Sequence, residues 1–98
     1  MAIQQIQVSV GAAGSPVVNV PDVTIWSTNG DQVQWTGAGP FEIYFPSGTP
    51  FASDNFVCLA GSSAPVSSGP INSGATGTFK YNVSINGKVL DPKIKIKP

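Results

Sequence analysis

The sequence predicts an all-β domain, a Greek-key sandwich of about seven strands, on three observations. Apolar and polar residues alternate strictly, as in Ile6, Val8 and Val10 against Gln5, Gln7 and Ser9. A period of two is the mark of a strand with one buried face. Asn-Gly pairs at 29–30 and 86–87 stand between such runs, and both residue types tolerate the positive φ of a tight type I′ turn. Gly, Pro, Ser and Thr are abundant while strong helix formers are scarce, which suits short strands joined by turns.

The elements follow in order. Ile6, Val8 and Val10 form the inner row of a first strand, and 11–16 is a turn-rich break. Val17 to Val20 is a short strand closed by Pro21, and Asp22 to Ser27 is extended again. Asn29-Gly30 predicts a two-residue hairpin into Gln32 to Thr36, with Val33 and Trp35 on one face. After a turn at 37–40, Phe41, Ile43 and Phe45 make another inner row, with Glu42 and Tyr44 opposite. The pattern weakens from Pro46 to Thr76. A structureless loop that long is unusual in a small domain, so Phe56 to Leu59 is expected to dock on the core as a short strand or a helical turn. The rest, Ser62 to Ala75, is expected to be mobile. Order returns with Phe79, Tyr81, Val83 and Ile85 on one face, and Asn86-Gly87 predicts a second hairpin. The last strand holds Ile94 and Ile96 inside and Lys93, Lys95 and Lys97 outside. Pro92 lacks an N–H for the ladder and so marks that strand's start.

The chain of 98 residues has the size of a single domain spanning 1–98, large enough to fold on its own core. Its net charge is zero, with no Arg and no His. No global field draws in nucleic acid or an anionic membrane, and bidentate guanidinium recognition of phosphate is absent. The charges are nevertheless segregated. Asp22, Asp31, Glu42 and Asp54 precede every lysine, and only Asp91 follows Lys80. Lysines on the last strand are read as the protection of a sheet edge, whose like charges also oppose pairing with a second chain. A monomer is therefore expected. Residues 1–10 contain neither a basic n-region nor an unbroken apolar run, so no signal peptide or membrane span is read there; the compartment stays open between the cytoplasm, as the default, and a destination reached through a targeting segment removed beforehand.

Three pieces of the chain, in their order, resemble the cupredoxin family. Gly30-Asp31-Gln32-Val33-Gln34-Trp35 is similar to its GD-x-V-x-W/F strand, and Gly39-Pro40-Phe41-Glu42-Ile43 to the segment carrying its first copper histidine. Gly77-Thr78-Phe79-Lys80-Tyr81-Asn82-Val83 is similar to the strand that ends on its copper cysteine. An immunoglobulin-like sandwich is the alternative, but its tyrosine corner places Gly two residues before Tyr, where this chain has Phe79 before Tyr81. The resemblance implies a cupredoxin-like sandwich in which the ligand positions are occupied by Phe41, Val83, Asn86 and Asp91. A blue-copper site takes two imidazoles, a thiolate and a weak axial ligand. This set, apolar, apolar, amide and carboxylate, supplies neither imidazole nor thiolate, so no metal and no other cofactor is expected.

Other chemistry finds little support. General acid–base catalysis relies most often on His or on paired carboxylates, and the five acids are scattered. Ser62-Ser63 lacks the nucleophile elbow, and no phosphate-binding loop ends in Gly-Lys-Ser/Thr. The chain is expected not to be an enzyme. Cys58, flanked by Val57 and Leu59, reads as a small buried hydrophobe. Trp26 and Tyr44 oppose the inner rows of their strands. Either they form an exposed contact surface, or the 46–76 segment covers them with Phe51 and Phe56. The leading expectation is a structural or protein-interaction module with an unidentified protein partner. A small-ligand or carbohydrate binder using the two rings, and a copper carrier with an unorthodox site, are the alternatives.

Overall fold

Alternation sets the inner layer of each strand in a computed structural model that describes residues 3–37, 40–61 and 64–98. Eleven strand segments occur among them in chain order. They are β1 Ile3–Val10, β2 Pro16–Val18, β3 Asp22–Trp26, β4 Gln32–Thr36, β5 Phe41–Tyr44 and β6 Asn55–Cys58. β7 Val66–Ser67, β8 Gly77–Lys80, β9 Asn82–Ile85, β10 Lys88–Leu90 and β11 Lys93–Lys97 follow, and a 3-10 turn at Ala12–Gly14 is the sole helical element described. The count exceeds seven because Tyr81 divides the strand expected over 79–85 into β8 and β9, and because β7 and β10 add short strands that the sequence pattern did not mark.

One sheet has the order β2-β1-β4-β7, with β1 parallel to β4. The other consists of two ladders, β3-β11-β8 and β10-β9-β5-β6. They join end to end, since β8 and β9 flank Tyr81 and the Tyr81 N–H donates to the Pro92 carbonyl at 3.0 Å. The sheets pack as a sandwich around one apolar cluster that includes Ile6, Val33, Trp35, Ile43, Val83 and Ile94. At its centre the Trp35 Nε1–H donates to the Tyr81 hydroxyl at 3.3 Å, and the two rings meet edge-on at 5.6 Å. Burial pushes the Tyr81 phenol up to about 12, against a smaller opposing effect of the Trp35 hydrogen bond.

Several expectations change. Val10 is 56% exposed, not part of the inner row, because β1 runs past the core to pair with Pro16 at the sandwich margin. The short second strand begins at Pro16 and leaves Val17 outside. Asn29-Gly30 does not close a hairpin. β3 pairs with β11 and β4 with β1, so the turn carries the chain from one sheet to the other. Asn29 keeps a negative φ while Gly30 takes φ 67°, and the Asp31 carboxylate accepts the Trp26 N–H at 3.0 Å to fasten the crossing. At the second pair the expected turn forms: Asn86 and Gly87 have φ 53° and 77°, and Ile85 pairs with Lys88.

The segment expected to be mobile is hydrogen-bonded to the sandwich through most of its length, although Ser62 and Ser63 lie outside the described residues, as do Ala38 and Gly39 of the turn at 37–40. β7 pairs with β4, and the Ser68 hydroxyl accepts the buried Val33 N–H at 3.0 Å. Phe51 bridges to Ile71, while the Asn72 side chain donates to the Phe51 carbonyl at 2.8 Å. Backbone polar groups thus find partners without apolar periodicity. Phe56 to Leu59 resolves as strand β6 paired with β5, but Leu59 lies beyond its end and is 71% exposed. β11 is flanked by β3 and β8 and is not an edge.

Candidate functional site

The four positions that the resemblance assigned to ligands are not gathered: two lie in the core, one in the β9–β10 turn at one end of the sandwich, and one in the break between β10 and β11, where the two ladders join. β5 directs Phe41 inward and β9 directs Val83 inward, both fully packed in the core. Val83 pairs with Ile43 and Leu90, so its side chain is enclosed by apolar neighbours. Asn86 occupies the positive-φ position of its turn and is exposed. Asp91 is exposed in the break between β10 and β11.

A shallow, open groove of about 430 Å³ lies at this end, lined by Phe41, Glu42, Val57, Cys58, Leu59 and Asn86 among others. The fold therefore brings Phe41 and Asn86 to one groove, with Val83 deeper along β9 and Asp91 away from the lining. Sequence reasoning missed that Cys58 belongs here. Pairing of β5 with β6 sets Cys58 directly opposite Phe41, across a connection of ten residues that no local pattern reveals. Cys58 is buried, as its apolar neighbours predicted. A type 1 copper ion does not fit this donor set. Phe41 and Val83 offer only a benzyl and an isopropyl group, no imidazole exists in the chain, and among the described residues no three His, Cys, Asp or Glu side chains gather around one point.

Trp26 and Tyr44 both project from the outer face of the second sheet, 43% and 41% exposed. The 46–76 segment does not cover them. Phe51 and Phe56 instead pack inward against Phe45, at 5.9 and 6.5 Å between ring centroids. Nor do the two rings form one platform. Tyr44 stands opposite Asn82, whereas Trp26 stands opposite Lys97 on the far side of the sheet. Strand spacing and rise put them roughly 20 Å apart. The Lys97 ammonium lies over the Trp26 ring, 5.6 Å from its centroid.

Two layered sheets in this order, with β1 parallel to β4 and β3 parallel to β11, make a cupredoxin-like β-sandwich. Among solved structures the chain is similar to a pseudoazurin from Sinorhizobium meliltoi, with a TM-score of 0.60 and 13% identity. The match covers 100% of this chain and 76% of the pseudoazurin chain. At that identity the similarity establishes the fold alone. No protein-family model and no curated protein matches the sequence.

Proposed function

We propose that this chain is a metal-free, non-enzymatic module that uses the cupredoxin-like scaffold as a protein-interaction domain. One observation carries the reading: the positions that would hold copper contain Phe41 and Val83, both built into the apolar core. Replacing a ligand by a tightly packed hydrophobe converts a reactive centre into a source of stability, worth roughly 1.5–3 kcal/mol for each buried side chain. The scaffold is thereby kept and the redox chemistry removed. A carbohydrate platform built from Trp26 and Tyr44 together has less support, because the rings are far apart and Lys97 lies against one of them.

Copper titration tests the metal-free part. Cupric and cuprous ions added to the pure protein should produce no intense visible charge-transfer band, and less than stoichiometric metal should survive desalting. A blue protein retaining one copper per chain would overturn the reading.

A further inference from the structure

We propose that the outward face of the β3-β11-β8 ladder is a docking surface for an acidic, extended polypeptide segment of a partner protein. The proposal rests on the interaction-domain reading and assigns the partner's chemistry.

Strand register builds the surface. Lys93 stands between Asp22 and Lys80, Lys95 between Thr24 and Thr78, and Lys97 beside Trp26. Ile94 and Ile96 alternate inward and are buried, which turns the three lysines of β11 to the same outer side. Asp22 is the sole acid in these rows and meets Lys93 at 3.8 Å, with both side chains largely in water. Lys80 and Lys95 make no ion pair among the described residues. Lys80, Lys93, Lys95 and Lys97 against Asp22 alone leave the face net positive.

Edge protection does not account for this charge, since β11 has a strand on each side. Lys93 and Lys80 are direct cross-strand partners. Like charges so placed weaken a sheet. Solubility alone would be met as well by interspersed charges of both signs. A uniform positive row in the middle of a sheet, kept despite that repulsion, fits an anionic partner.

Geometry selects the kind of anion. Alternate side chains of an extended chain recur about every 6.5–7 Å, the pitch that β11 itself imposes on Lys93, Lys95 and Lys97. A partner segment bearing an acid at every second residue matches that row charge for charge. Single-stranded nucleic acid would draw on open aromatic plates, but Lys97 already lies over Trp26. Bidentate phosphate recognition is absent because the chain has no Arg. A hollow of about 400 Å³ lined by Ser47, Gly48, Thr78, Phe79 and Lys80 opens at one margin and offers room for a neutral side chain of the segment.

The test titrates the full chain at low ionic strength with a ten-residue peptide alternating Glu and Thr, followed by calorimetry and amide chemical shifts. Binding should perturb β3, β8 and β11, and weaken steeply with added salt. A peptide of identical composition with its glutamates in one block should bind several-fold more weakly. The double variant Lys95→Gln/Lys97→Gln should lose about tenfold in affinity, whereas Lys88→Gln, off this face, should lose nothing. Thermal melting checks each variant's fold, and Lys95→Gln alone serves if losing Lys97 loosens Trp26. Three results would overturn the proposal: no binding of the alternating peptide, binding indifferent to Lys95, or tighter binding of oligothymidylate or phosphatidylserine vesicles. A protein that ignores the peptide yet stays colourless with copper refutes this surface and leaves the metal-free reading standing.

Discussion

Tyr81→Phe is the substitution whose effect the structure defines most fully. At neutral pH it removes the acceptor of the Trp35 Nε1–H and leaves that donor buried without a partner. Such a loss costs about 1–3 kcal/mol. At high pH the difference narrows. The phenol titrates near its ordinary value of 10.0 when unfolded and is pushed up to about 12 when folded. The folded state therefore holds the proton more tightly, and stability present below pH 10 drains away as the pH rises towards 12. Two pKa units correspond to about 3 kcal/mol at 1.36 kcal/mol per unit. Phenylalanine has no proton to lose and escapes that decline. The stabilities of the two proteins should draw together by about 2 kcal/mol between pH 10 and 12. Denaturant unfolding across this range measures both curves, ideally in a Tyr44→Phe background so that phenolate absorbance reports Tyr81 alone. Parallel curves for wild type and variant would refute the reasoning, because they would mean that Tyr81 ionises equally easily in both states.

Three further outcomes are expected. Gly37→Ala should destabilise by about 1–3 kcal/mol, since a Cβ there would press on the Val8 carbonyl and part β1 from β4; chemical unfolding measures it. Ser68→Ala should lose about 1–2 kcal/mol by leaving the buried Val33 N–H without its hydroxyl acceptor, and hydrogen exchange at Val33 should quicken. Gly87→Ala should lose about 1–2 kcal/mol, because φ 77° is costly for a residue bearing a Cβ; an unchanged melting midpoint would contradict the type I′ turn.

Local structure that depends on near neighbours was legible in the residue pattern. Alternation in 32–36, 41–45 and 93–97 identified the strands and their buried rows, because a strand's two faces are read directly from its period. Asn86-Gly87 announced its turn through φ preferences alone. With no histidine in the chain, no imidazole is available to a type 1 copper site. Tertiary structure decided which strands became neighbours. Asn29-Gly30 carries the same turn signal as Asn86-Gly87, yet it crosses between sheets because β3 gains a parallel partner in β11, some seventy residues away. The same pairing moved the lysine strand from a supposed edge to the middle of a ladder, and β5 against β6 set Cys58 opposite Phe41. These contacts join residues distant in sequence and rest on the complementarity of whole layers. A local pattern encodes the face a residue presents, but not the strand that will lie beside it.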